Sequence, residues 1–147
     1  MFLVDGSALR LTVIDSSYPL LPGEDPAIVG EAPAWRAWLG EHEPDVAVTE
    51  ISLMQLRRTA DPLGPEARET ARQLVPRLTV LRIPDRAMTV SPLVTPVLGP
   101  FDALHLGLAV VHHEITTIVT YERDLARLAR MYALEVLSPG RDDAWWV

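Results

Sequence analysis

Five acids stand where an apolar run has just ended or a helix is about to begin. They are Asp15 after "LTVI", Glu50 after "DVAVT", Asp102 in "GPFDALHL", and Glu122 and Asp124 after "EITTIVT". Taken singly, each has a structural use: aspartate caps helix N-termini, and an acid in a first helical turn complements the helix dipole. Gathered in space they would be costly, because carboxylates a few ångströms apart raise one another's pKa. A hard cation that prefers oxygen removes that cost. Mg²⁺ or Mn²⁺ suits a chain with no cysteine, where no thiolate competes. An acid cluster holding such an ion can align a water for attack on a phosphodiester and steady the leaving oxygen. The ion also reverses the sign of the local field, so an acidic protein can accept a polyanion at that point.

The elements that must position these acids follow from hydrophobic patterning. Apolar runs of strand length alternate with stretches of helical spacing. Strands are expected at Leu9–Ile14, Asp45–Thr49, Leu78–Ile83, Glu114–Thr120 and Leu134–Leu137. Helices are expected over Pro26–Gly40, Glu50–Arg58, a stretch from Pro65 to Val75, a buried helix from near Pro100, and the amphipathic "YERDLARLARMY". Pro84, Pro92 and Pro96 leave only short or broken helix between residues 84 and 98. Five strands separated by helices predict an α/β fold, a three-layer α/β/α arrangement around a central parallel sheet. In such sheets ligands bind beyond the carboxyl ends of the strands, and that edge is where the acids fall.

Two acids compete for the end of the first strand. Asp5 in "LVDGS" has only Met1–Val4 before it, whereas Asp15 in "VIDSS" has a full apolar run. Asp15 is therefore preferred, residues 1–8 read as a leading extension, and residues 141–147 as a tail whose Trp145 and Trp146 pack on the domain or on a partner. The prolines of "YPLLP" after Asp15 do not suit the apolar helix expected there.

Bulk properties bound the rest. The 147 residues suit one domain, and a chain of this size buries about 70% of its unfolded surface without staples. Net charge is −7, which argues against a general polyanion binder. The N-terminus has no basic leader, and no run is apolar enough for a membrane span, so a cytoplasmic protein without membrane contact is expected. All 13 basic residues are arginine. Receiver-type phosphoacceptor domains and haloacid-dehalogenase-like phosphatases also gather acids at strand ends, but they rely on a lysine that this chain lacks.

The pieces "VIDSS", "VTEISLMQLRR", "GPFDALHLGLAV" and "IVTYERDLARLA", in that order, resemble the PIN-domain family, and most of all the VapC-type toxins of bacterial toxin–antitoxin pairs. The resemblance spans nearly the whole chain. It implies a Mg²⁺- or Mn²⁺-dependent endoribonuclease with Asp15, Glu50 and Asp102 as the first three acids. At the fourth position the family usually has Thr-x-Asp. Thr120-Tyr121-Glu122 puts glutamate there, with Asp124 able to assist or replace it. Asp15, Asp102, Glu122 and Asp124 are the expected metal ligands. The resemblance also implies an RNA substrate, a small VapB-like antitoxin seated in an apolar groove near Ile51–Leu56 and Leu20–Leu21, and homodimerisation. Ser16, Ser17 and Thr120 can hydrogen-bond the cluster or simply form helix-start turns. Arg57, Arg58, Arg123 and Arg127 are candidate phosphate contacts or solvated partners of surface acids. His105 reads as a core histidine, with a general base as the second reading.

Overall fold

The computed structural model describes residues 1–147. Its sheet has five parallel strands, β1 (Phe2–Val4), β2 (Val46–Val48), β3 (Thr79–Val80), β4 (Thr117–Val119) and β5 (Glu135–Leu137). They lie in the order β3-β2-β1-β4-β5, with helices on both faces. The α/β/α architecture is the one expected from the alternation of strand and helix.

The first strand is not where the apolar run suggested. Leu9–Ile14 lies at the end of a short helical stretch, α1 (Gly6–Leu9) continued by a 3₁₀ turn over Arg10–Val13. Residues 1–8 are no extension, because Phe2–Val4 is the central strand. It pairs on one side with β2 (Phe2↔Val46) and on the other with β4 (Leu3↔Ile118). Three residues suffice because both edges are occupied and both faces are covered. Leu3 packs into the core on one side of the sheet and Val4 into the core on the other, the alternation a strand imposes. In the structure Leu9, Leu11, Val13 and Ile14 are all buried within a turn of helix.

The remaining helices are α2 (Ala27–His42), α3 (Glu50–Ala60), α4 (Pro65–Leu74), α5 (Ser91–Val94), α6 (Pro100–Val111) and α7 (Arg123–Met131). The larger core cluster joins Trp35 and Leu39 of α2 to Leu53 and Leu56 of α3 beneath Val4, Val46 and Val48. The other joins Leu106 and Leu108 of α6 to Leu125 and Ala129 of α7 beneath Leu3 and Ile118. Between residues 84 and 98 only a 3₁₀ turn and the one-turn α5 form, as the prolines require. The C-terminal tail packs back: Trp145 donates to Ser138, and Arg127 to the Trp146 carbonyl. No helix is long and apolar enough to cross a membrane.

Helix α6 is held close to the Asp85–Thr89 turn by Gly107, where a β-carbon would stand 2.4 Å from the Ala87 carbonyl oxygen. Backbone cannot move aside as a flexible side chain would. Gly107→Ala is expected to cost about 1–3 kcal/mol, measured as a lowered urea midpoint.

Candidate functional site

Strand order 3-2-1-4-5 reverses direction at β1. The chain builds outward from β1 through β2 to β3, then returns to place β4 on the other side. The crevice at such a switch point lies at the carboxyl ends of the two strands that flank it, here β1 and β4. Asp5 follows β1 directly, and Thr120, Tyr121 and Glu122 follow β4. The sheet thus delivers Asp5, not Asp15, to the crevice.

Asp5 is 1% exposed and fully engaged. Its Oδ1 accepts from Ser7 Oγ (2.7 Å) and from the Ala8 amide (3.0 Å), which makes it the N-cap of α1. Its Oδ2 accepts from Thr120 Oγ1 at 2.6 Å. Ser7 Oγ in turn accepts from the Tyr121 amide, and Thr120 Oγ1 from the Glu122 amide. These bonds tie the β1 end to the β4 end and aim the chain around Glu122. Burial raises the Asp5 carboxyl to about 6, against the pull of its three donors.

Asp102 comes from the first turn of α6, whose start is set by Gly99 and Pro100. Its carboxyl is pushed up to about 7, first by burial and then by the negative charge of Asp5, Glu122 and Asp124. Those three named neighbours define the cluster: four acids from the ends of β1 and β4 and the starts of α6 and α7. Asp102 and Glu122 line a cleft of about 810 Å³ together with Ser7, Gln55, Arg58 and Tyr121. Asp124, exposed in the first turn of α7, contributes charge from just outside that lining.

Two expected site residues lie elsewhere. Asp15 is exposed, and its carboxylate accepts from the amide and hydroxyl of Ser17, which hold its pKa below the usual carboxylate value. It closes a surface turn, and Ser16 and Ser17 leave with it. Glu50 is also exposed and does not line the cleft. Thr49 caps α3, accepting from the Ser52 amide, so Glu50 is the first helical residue. The side chains that α3 sends to the cleft come one turn later, Gln55 and Arg58 among them. The Gln55 amide oxygen is buried without a hydrogen-bond partner where a β-carbon on Gly6 would stand, so only glycine after Asp5 leaves it room.

His105 is a core residue. It is 1% exposed, its Nε2 lies 2.7 Å from Thr49 Oγ1 and 3.1 Å from Ser52 Oγ, and burial lowers it to about 4. It is neutral at physiological pH and ties α6 to the β2–α3 corner. One wall of the cleft is braced from the C-terminus. Arg141 pairs with Glu31 of α2 and with Asp25, and its guanidinium lies 4.2 Å from the Trp145 ring centroid and 5.1 Å from that of Tyr121. Arg127 is spent on the Trp146 carbonyl.

The chemistry of the donor set suits a divalent cation. It is all oxygen, and beyond burial the neighbouring carboxylates add a repulsion on Asp102 that a hard cation would relieve. No three acidic side chains stand close enough to enclose an ion between them. The fit is therefore to an ion that keeps much of its water shell and takes one or two carboxylates directly, as Mg²⁺ does. No protein-family model matches the chain, and no curated protein matches it.

Proposed function

We propose that this cleft is the active centre of a Mg²⁺- or Mn²⁺-dependent endoribonuclease of PIN type, acting as the toxin of a type II toxin–antitoxin pair. The observation that carries the reading is Asp102 at the switch point of a parallel sheet, lining the cleft beside Glu122 and raised to about 7 first by burial and then by the charge of Asp5, Glu122 and Asp124. Repelling carboxylates at that place are costly unless a cation uses them. The motifs that carry Asp102 and Glu122 support the family resemblance at this edge, with Asp5 there in place of Asp15 and Glu50 off the cleft.

Each residue then has a role that its position supports. Asp102 and Glu122, which line the cleft, would take the ion, with Asp5 fixing the floor and Asp124 adding field from the α7 turn. When bound, the ion supplies an activated water and charge relief for the leaving oxygen. Thr120 and Ser7 hold Asp5 and the Glu122 backbone in register. Gln55 and Arg58 of α3 line the same cleft, where Arg58 would meet a phosphate. A VapB-like antitoxin, a homodimer and a cytoplasmic setting belong to the same proposal.

The alternative is a PIN-like interaction module without turnover. It draws on the acids' failure to enclose an ion directly and on glutamate at position 122. The two readings separate on purified protein and total bacterial RNA with Mg²⁺, Mn²⁺ or EDTA, with the new RNA ends sequenced. The nuclease reading expects discrete metal-dependent ends that are absent with Asp102→Asn. Ends that persist with Asp102→Asn, or no ends at all, would favour the inert module.

A further inference from the structure

The arginines of the α3–α4 hairpin are not explained by the acid centre alone. Arg58 lines the acid cleft. Its neighbour Arg57 lines a second cavity of about 320 Å³ on the other side of the hairpin, with Arg68 and Arg72 of α4. The turn between the helices is the ridge that separates them: Thr59 and Pro62 face the cleft, Ala60 and Asp61 the second cavity. All four arginines are exposed. Arg57, Arg58 and Arg68 form no salt bridge; other arginines also lack one, among them Arg36 and Arg127, but those two bond to backbone carbonyls, and the hairpin sets Arg57 and Arg68 beside one cavity. Arg72 holds only a solvent-exposed pair with Glu69, of a kind that contributes little.

A chain of net charge −7 has carboxylates to spare, yet Arg57 and Arg68 stand unpaired on one cavity beside Arg72, whose single pair is solvent-exposed. Arg68 and Arg72, one helical turn apart, repel each other. Such a patch is poised for an external anion. The second cavity has Asp61 as its one acid and no aromatic side chain, so it offers planar forks for phosphate and nothing on which a base could stack.

We propose that Arg57, Arg68 and Arg72 form a phosphate track that continues the acid cleft across the α3–α4 turn. It would hold the backbone of single-stranded RNA leaving the scissile site past Arg58. The proposal rests on the nuclease reading for its choice of RNA as the anion. Contacts to phosphate alone predict grip without sequence preference.

The test uses the full chain carrying Asp102→Asn, so that RNA stays intact, with and without Arg57→Gln and Arg68→Gln. Binding of a labelled 20-nucleotide single-stranded RNA is measured between 50 and 300 mM NaCl, with melting temperatures as the fold control. Removing two phosphate contacts should flatten the slope of log K against log salt by about 1.4. It should also weaken binding about tenfold at low salt, equally for unrelated sequences. Unchanged affinity and slope would overturn the track, as would arginine-dependent binding of polyglutamate with RNA binding unaffected. The nuclease reading fails separately: arginine-dependent RNA binding by a wild type that never cleaves with Mg²⁺ would sink that reading and leave the track standing.

Discussion

Asp102→Asn is expected to abolish metal-dependent RNA cleavage and at the same time make the protein more stable. Loss of a carboxylate that would hold the ion removes the charge relief the ion supplies to the leaving oxygen, at a cost on the order of 10³-fold in rate. The stability effect has the opposite sign for an electrostatic reason. Asp102 is raised from the ordinary aspartate value to about 7, so the folded protein holds its proton more tightly than the unfolded chain. Wherever the native state binds more protons, stability falls as pH rises. For Asp102 this fall runs from about pH 4 to pH 7, at about 1.4 kcal/mol per pH unit where the proton difference is complete. Asp5, raised to about 6, adds a smaller loss over the lower part of the same window. Asparagine has the same shape and no charge to bury. At pH 7.5 it should gain about 1–3 kcal/mol, or about 3–10 °C in melting temperature for a domain of this size. At pH 4.5 the gain should shrink toward zero. Mg²⁺ should stabilise the wild type at pH 7.5 and leave Asp102→Asn unmoved. A variant that loses both cleavage and stability at pH 7.5 would make Asp102 a structural residue.

The second large effect separates the two aspartates that the sequence offers as the first acid. Asp5→Ala strands the hydroxyls of Ser7 and Thr120 and the Ala8 amide, all of which donate to its carboxylate inside the protein. The lost helix cap alone is worth about 1 kcal/mol, and buried groups left without partners add to it. Removing a carboxylate that is itself costly to bury returns part of that sum, and a net loss of about 2–4 kcal/mol is expected from urea denaturation. Asp15→Asn touches only an exposed turn. It should change stability by less than about 0.5 kcal/mol and leave cleavage at the wild-type rate. An Asp15→Asn protein that is folded and inactive would return the first acid to position 15.

The contrast between these positions shows how far the residues spoke for themselves. Apolar runs separated by helical spacing gave the layered α/β architecture, and β2, β3, β4 and β5 all fall inside the runs expected of them. Asp102 and Glu122 were legible because Pro100 and Thr120 mark where their elements begin and end. The first strand was not legible by length. Three residues at the chain start look too few until pairing on both edges and burial on both faces are known, and these are tertiary facts. "LTVI" reads as strand because its branched apolar residues suit one, yet the Asp5 cap and Ser7 start a helix before it. A cap signature was present in "DGSAL", and it outweighed the length of the run. Glu50 lies short of the cleft: Thr49 takes the capping position, and the residues of α3 that line the cleft begin with Gln55 and continue to Arg58 and Thr59.

One titration reaches the central claim without any RNA. Wild-type protein and Asp102→Asn are titrated with Mn²⁺ at pH 6.5 in two buffers of different ionisation enthalpy, so that heat reports both binding and proton release. If Asp102 and Glu122 take a divalent ion, the wild type binds Mn²⁺ and expels the proton that Asp102 retains at this pH. Asp102→Asn then binds at least tenfold more weakly with no proton released. Equal isotherms for the two proteins, or binding that releases no proton from the wild type, would contradict it.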